Sequence, residues 1–257
     1  METATEAWIK ALRRSQTQLR ALVEPLSVEQ LQQQSYASEW SIAQVLSHLG
    51  SQAEIFSLHL HAGLSGEEPL GQDDFAPIWD SWNARSPMAQ AADCLRVDRE
   101  LVDRFESLDP EQRARLHLTL FGMELDTVGL ARMRLGEHAV HTWDVAVALD
   151  PTATLDPDAV QLLVDTLGPL AARTGNADGA ERQIGVSTTA PERHFTLELG
   201  ESVALVASQE DDTRPQLRLS AEALVRLIYG RLDPAHTPPI KAAGIDLGQL
   251  RAIFPGF

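Results

Sequence analysis

Four segments in which apolar residues recur at helical spacing lie within the first 150 positions of the chain. Ser41 and Ser86 are predicted N-caps, and Asp150-Pro151 ends the last segment. The predicted helices span Thr3 to Val23, Ser41 to Gly63, Ser86 to Leu108, and the region from near Glu124 to Leu149. Because residues 63–85 are rich in glycine, proline and aspartate, we expect a long loop there. Four helices with one long connection predict a four-helix bundle.

The chain changes character after Pro151. A helical segment from Asp156 to Arg173 is followed by four short stretches that read as strands, "RQIGVSTTA", "RHFTLELG", "SVALVASQ" and "PQLRLS". A hairpin is expected at Gly200-Glu201, and helices after Ser220 and near the end of the chain. The sequence therefore predicts an α+β protein with two domains, a four-helix bundle in residues 1–150 and a smaller α+β domain in residues 151–257.

Charge and cysteine content exclude several classes of function. The formal net charge of −16 opposes binding to a phosphate backbone or to an anionic membrane surface. Cys94 is the sole cysteine, which excludes an internal disulfide and fits a reducing compartment. It is expected to be a small core or surface residue rather than a nucleophile. With neither a signal peptide nor a membrane span in the sequence, we expect a soluble protein of the cytoplasm that binds no nucleic acid and no membrane.

The stretch "RLGEHAVHTWDVAVAL", residues 134–149, places several polar groups on a helix with an apolar stripe. Glu137 and His141 are four residues apart, so both can reach one ion from the same helical face. His48, beside the apolar stripe of the second helix, is the best candidate for a third ligand. Chance spacing on a solvated helix and a core role for His48 are the alternatives. His138 could instead pair with His141, and Asp144 is expected to support a ligand or to lie on the surface.

Several motifs of the chain resemble one known family. They are "EWSIAQVLSHLGSQAE", "WNARSP", "RLGEHAVHTWDVAVAL", and the end of the chain from "LRLSAEALVRLIYGRLD" to "LRAIFPGF". In this order they resemble the mycothiol-dependent maleylpyruvate isomerase family, a branch of the DinB-like bundle proteins whose C-terminal domain is related to sterol carrier proteins. The resemblance implies that His48, Glu137 and His141 hold a divalent metal, and that mycothiol is the thiol cosubstrate. Zinc is the first candidate, while iron, nickel and manganese also suit these ligands.

The resemblance implies an isomerase or an S-transferase in which a thiolate attacks a small electrophilic substrate. Arg231 matches an arginine of the family's second domain and is the catalytic candidate there, since a guanidinium can bind a carboxylate; a surface ion pair is the alternative. A non-catalytic, metal-containing binding or regulatory module is the second hypothesis for the chain. A metal hydrolase would need a general base, for which only Asp144 or His138 is at hand. We expect a monomer or homodimer whose partners are the substrate and the thiol.

Overall fold

The computed structural model describes residues 3–120, 122–177, 179–209 and 216–256. The chain forms two compact units, Met1–Ala153 and Thr154–Phe257. The elements of the first unit are α1 (Ala4–Val23), α2 (Val28–Leu31), α3 (Ile42–Ser65), α4 (Phe75–Asn83), α5 (Pro87–Ser107), α6 (Pro110–Arg115), β1 (His117–Leu120), β2 (Met123–Asp126) and α7 (Thr127–Leu149). The strands β1 and β2 form an antiparallel hairpin.

Four long helices, α1, α3, α5 and α7, make up the bundle. Both α1 and α3 pack against α5 and against α7, so the order around the bundle is α1, α5, α3, α7. As neighbours, α3 and α7 can place side chains in one site. Helix α7 is buried on most of its circumference, which brings its polar residues as well as its apolar ones into the interior.

Side-chain caps fix where the long helices begin. The Ser41 hydroxyl accepts the backbone N–H of Gln44, and the Gln44 side chain accepts the backbone N–H of Ser41. Ser86 accepts the backbone N–H of Ala89, with Pro87 in the first helical position. These bonds satisfy donors that a helix start leaves without partners. The predicted N-caps Ser41 and Ser86 are confirmed.

Residues 63–85 do not form the predicted long loop. Helix α3 continues through Gly63 to Ser65, and a 3-10 turn and α4 occupy most of the remaining segment up to Arg85. A Cβ at Gly63 would lie 3.1 Å from Cδ2 of Leu118, so this glycine allows the hairpin to pack closely on α3 instead of ending the helix. The helix ends at Gly66, whose φ of +76° favours glycine.

The predicted start of the last bundle helix near Glu124 is also wrong. Glu124 lies in β2 opposite Thr119, whose hydroxyl donates to the Glu124 carboxylate. Helix α7 begins at Thr127, after Asp126 caps it by accepting the backbone N–H of Gly129. Cross-strand pairing therefore decides the conformation of a segment whose local pattern favoured helix.

The second unit is a five-stranded sheet with helices. Its elements are α8 (Pro157–Leu163), α9 (Leu167–Thr174), β3 (Arg182–Thr189), β4 (Arg193–Leu199), β5 (Val203–Ala207), β6 (Gln216–Ser220), α10 (Ala221–Ile228), β7 (Lys241–Ala243) and α11 (Leu247–Ile253). The strand order is β5-β4-β3-β6-β7, with β3 and β6 parallel and the other pairs antiparallel.

Most predicted elements of this unit are confirmed. The hairpin at Gly200 joins β4 to β5, and Ser220 caps α10. A 3-10 turn, Val164–Thr166, divides the helix predicted from Asp156 to Arg173, and β7 was not predicted. Pro215, the first residue of the predicted strand "PQLRLS", lies outside the described residues. Among the described residues, no helix combines the length and apolar character needed to cross a membrane.

Candidate metal centre

His48, Glu137 and His141 converge in the first unit. One ligand atom from each lies within 4.8 Å of the other two. Nε2 of His48 is 3.6 Å from Oε2 of Glu137, and Nε2 of His141 is 3.8 Å from the same oxygen. The two imidazole rings are 4.7 Å apart between centroids. Two nitrogen donors and a carboxylate oxygen suit a divalent transition metal such as zinc.

Solvent reaches part of each candidate ligand side chain. The exposed fraction of the side chain is 25% for His48, 32% for Glu137 and 10% for His141. Glu137 and His141 project from successive turns of α7, while His48 comes from the neighbouring helix α3. Three protein ligands with access from outside correspond to the arrangement in which a metal keeps a position open for a small molecule.

An unsatisfied atom indicates that this cluster fits an ion. Among the described residues, Nε2 of His48 is buried without a hydrogen-bond partner, because the Glu137 oxygen at 3.6 Å is beyond bonding distance. A buried nitrogen left unpaired costs about 1 to 3 kcal/mol. A cation between His48 and Glu137 would satisfy that nitrogen, so the donor set and its geometry fit a divalent metal.

The protonation states also suit metal binding. Burial lowers the pKa of His48 and so favours the neutral imidazole that can bind a metal. Burial by itself would raise the pKa of Glu137, but the facing His48 ring, His141 and the Gln52 amide outweigh it and hold that pKa at about 2. The cluster therefore offers neutral imidazole and an ionised carboxylate at neutral pH.

Hydrogen bonds from outside the cluster orient two of the ligands. Nδ1 of His141 donates to Oδ2 of Asp144 at 2.8 Å, which leaves Nε2 as the ring's lone-pair nitrogen. The Gln52 amide donates from Nε2 to Oε2 of Glu137 at 2.9 Å. Asp144 is fully buried, so the predicted supporting role fits the structure and the surface alternative does not. Partners of this kind fix the tautomer and rotamer of a ligand.

An aromatic side chain adjoins the two histidines. The Trp40 ring lies 4.9 Å from the His48 ring and 6.1 Å from the His141 ring, between centroids. The loop that carries Trp40 is attached to α7 by the Tyr36 N–H, which donates to the Asp144 carbonyl at 3.1 Å. The motif "EWSIAQVLSHLGSQAE" contains Trp40, but the spacing of its residues did not indicate which rings Trp40 would contact.

His138 is not part of the cluster, and Arg231 belongs to the second unit. His138 is buried, with Nδ1 2.7 Å from the Ser15 hydroxyl and Nε2 2.9 Å from the Asp98 carboxylate, and it does not join the cluster. Arg231 belongs to the second unit, where it is buried and donates to the Tyr229 carbonyl at 2.7 Å. A buried side chain does not fit the surface placement that the alternative assumed.

A buried charge network that the sequence did not predict adjoins the cluster through Gln52. Arg134 is fully buried and donates to Asp98 at 2.8 Å, to the Gln52 amide oxygen at 3.0 Å and to the Leu49 carbonyl at 3.1 Å. One signal was available in the sequence. Asp98 follows Cys94 by four residues and precedes Leu101 by three, so it lies on the apolar stripe of α5, where an unpaired charge would be costly.

By fold and donor set, the first unit is a four-helix bundle with a candidate metal centre between two neighbouring helices. The chain belongs to the mycothiol maleylpyruvate isomerase family: the model of that family's N-terminal domain matches residues 12–146, which include all three candidate ligands. The family assignment made from the sequence motifs is thereby confirmed, as is the α+β class with an N-terminal bundle.

Solved structures share this fold over nearly the whole chain. A crystal structure of the mycothiol-dependent maleylpyruvate isomerase is 13% identical, with a TM-score of 0.71, and the match covers 96% of this chain and 98% of that one. A mutant of a mycothiol-dependent maleylpyruvate isomerase is also 13% identical, with a TM-score of 0.68 over 90% and 92% of the two chains. No curated protein matches the sequence. At this identity the likeness establishes the fold.

Proposed function

We propose that the protein is a metal-dependent enzyme that uses mycothiol to attack a small electrophilic substrate. The observation that carries the proposal is the convergence of His48, Glu137 and His141, in which the buried Nε2 of His48 has no hydrogen-bond partner in the described part of the chain. Membership of the mycothiol maleylpyruvate isomerase family supports the choice of thiol. When bound, the ion would keep the thiol deprotonated at neutral pH, and so make it a nucleophile.

The chain's own residues have separate roles in this proposal. His48, Glu137 and His141 hold the ion, and Asp144 keeps the His141 ring in the tautomer that binds it. Arg231, in the second unit, is proposed to bind an anionic group of the substrate or of the thiol. The thiolate adds to one carbon of an activated double bond, and the electron pair of that bond moves to the activated carbon. After rotation about the resulting single bond, the electron pair re-forms the double bond, the C–S bond breaks, and the thiolate and the trans isomer leave. If the carbanion instead takes up a proton from solvent, the C–S bond persists and the result is S-transfer.

Neither candidate base for a hydrolase is positioned to act on water at the cluster. Asp144 is fully buried and accepts from His141, and His138 is 1% exposed and bonded to Asp98. A hydrolytic mechanism needs a base within reach of the attacking water. These contacts favour a nucleophile that arrives with the cosubstrate over water activated by the protein.

The first experiment is elemental analysis of the purified protein beside His48→Ala and His141→Ala. The matched control is His61→Ala on the same helix α3, where the side chain is exposed and faces Glu67. We expect one equivalent of metal in the wild type and the control, and a sharp loss in both site variants. Wild-type protein without metal, even after purification in metal-supplemented buffer, would contradict the proposal and favour a non-catalytic binding module.

Activity is tested next on the metal-loaded protein. Mycothiol with an activated cis alkene acid such as maleylpyruvate should give the trans isomer or a stable thioether, and His141→Ala should give neither. Arg231→Lys keeps the positive charge but loses paired donation to a carboxylate, so a higher KM is expected. Metal-loaded protein that alters neither the thiol nor the alkene would contradict the enzymatic proposal while leaving the metal site intact.

A further inference from the structure

We propose that Gln52 is a positioning residue for Glu137, and that Arg134 holds Gln52 in the one orientation that this role allows. The inference rests on the proposed metal site and adds residues that bind no metal themselves. Gln52 lies on α3, one helical turn after the candidate ligand His48. Both side chains face the same oxygen, Oε2 of Glu137, and Gln52 donates to it at 2.9 Å.

The orientation of the Gln52 amide is dictated by the chemistry of its neighbours. An amide has a donor end and an acceptor end, whereas a guanidinium has donors only and an ionised carboxylate has acceptors only. Arg134 donates to Oε1 of Gln52 at 3.0 Å, so the NH₂ group must face Glu137. A flipped amide would place NH₂ against the guanidinium and the oxygen against the carboxylate. Arg134 thereby selects the rotamer in which Gln52 donates.

The two terminal nitrogens of Arg134 are themselves held by three acceptors. Its side chain is fully buried and donates to Asp98 and to the Leu49 carbonyl as well as to Gln52. Asp98 contacts His138, which contacts Ser15 on α1. All four long helices contribute to this chain of contacts, which ends at Glu137. The orientation of the carboxylate is therefore set by the packed interior before any ligand arrives.

A carboxylate without such a contact has more rotamers open to it, and a metal must then order it on binding. Loss of an outer hydrogen bond to a metal ligand typically lowers affinity by about 10- to 100-fold. Gln52→Met keeps the length of the side chain and removes both hydrogen bonds. We expect Gln52→Met to bind Co²⁺ about 10- to 100-fold more weakly, with an altered visible absorption spectrum, because the position of one ligand oxygen is no longer fixed.

The experiment is a Co²⁺ titration of the full chain after treatment with a chelator, followed by absorbance and by competition with a chromophoric chelator. Gln90→Met is the matched control, since Gln90 is a buried glutamine that donates to the Trp82 carbonyl at 3.3 Å and bonds to none of the three ligands. The control should keep the affinity and spectrum of the wild type. Thermal unfolding of the metal-free proteins separates any loss of stability from the loss of affinity.

The outcomes are distinguishable. A wild-type affinity and spectrum in Gln52→Met would overturn the role of Gln52 and leave the metal site standing. No Co²⁺ binding by the wild type would overturn the proposed function and this inference together. If Gln52→Met does not fold, Gln52→Asn replaces it: the shorter amide keeps a polar group at this position but lies too far from Glu137 to donate. We expect the same loss of Co²⁺ affinity and the same change of spectrum in Gln52→Asn. An unchanged affinity and spectrum would overturn the inference.

Discussion

The ion pair between Asp98 and Arg134 gives the sharpest test of how the bundle interior is held together. The Asp98 side chain is 1% exposed and the Arg134 side chain 0%. A terminal guanidinium nitrogen of Arg134 lies 2.8 Å from Oδ1 of Asp98. Asp98→Asn removes the negative charge and leaves the guanidinium buried without a counterion. Loss of one partner from a buried pair costs about 3 to 5 kcal/mol. Because asparagine keeps an oxygen that can accept from Arg134, we expect a loss of about 3 kcal/mol.

The matched control lies on the same helix. Asp103 pairs with Arg13 and its side chain is 55% exposed, so Asp103→Asn should cost less than about 1 kcal/mol. Urea unfolding at pH 7, with equal slopes for the three proteins, measures both differences. With a total stability of about 5 to 15 kcal/mol for a protein of ordinary stability, Asp98→Asn should still fold. Equal, small losses in the two variants would refute the view that the buried pair stabilises the interior.

The pH dependence supplies a second, independent check. Burial alone would raise the pKa of Asp98, but the charges of His138 and Arg134 and their hydrogen bonds hold it well below its ordinary value. A lowered pKa stabilises the fold above the unfolded pKa, near 4, and the contribution is lost as the pH falls toward the folded pKa. Below about pH 4 the difference in the free energy of unfolding between the wild type and Asp98→Asn should shrink by about 1.4 kcal/mol per pH unit. A difference in free energy of unfolding that stays constant down to pH 2.5 would contradict a lowered pKa of Asp98.

Three further predictions concern other parts of the first unit. Asp144→Asn should weaken metal binding about 10- to 100-fold, since a neutral amide holds the His141 tautomer less firmly; an unchanged Co²⁺ affinity would argue against this. Gly50→Ala should destabilise by about 1 to 3 kcal/mol in urea unfolding, because its Cβ would lie 2.1 Å from the Trp82 ring; in a Trp82→Leu background the same change should be neutral or stabilising. Cys94 should resist thiol reagents until the protein unfolds, because burial raises the pKa of its thiol; labelling of native protein at the unfolded rate would disprove this.

Local signals predicted most of the bundle. Ser41 and Ser86 each place a hydroxyl where the first turn of a helix needs an acceptor, and both caps form. The errors came from contacts between distant segments. Gly63 reads as a helix end, yet it lies inside α3, where Leu118, 55 positions later, packs against it. Glu124 fits a helical pattern, yet pairing with β1 takes it into a strand.

In the candidate site too, relations within one helix could be predicted, whereas contacts between distant segments were harder to predict. Glu137 and His141 are related by helical geometry alone, so their spacing predicted that they share a face. The placement of His48 beside them depends on how α3 packs against α7. The position of His48 next to the core stripe of a bundle helix made it the best candidate, and the family resemblance pointed to the same residue. Gln52 could not be predicted, since its role depends on the rotamer of Arg134, 82 residues away in sequence.

Two of the three candidate ligands come from α7, and the third comes from α3, roughly ninety residues earlier in the chain. An ion shared by these helices would act as a cross-link that closes a loop of that length, and closing a long loop removes much of the conformational freedom of the unfolded chain. A disulfide that closes a loop of this size stabilises the folded state by at most about 4 to 5 kcal/mol. Helix α5 supplies no ligand but lies within the loop. Its amides should therefore exchange more slowly with solvent when the ion is bound, although α5 itself never touches it.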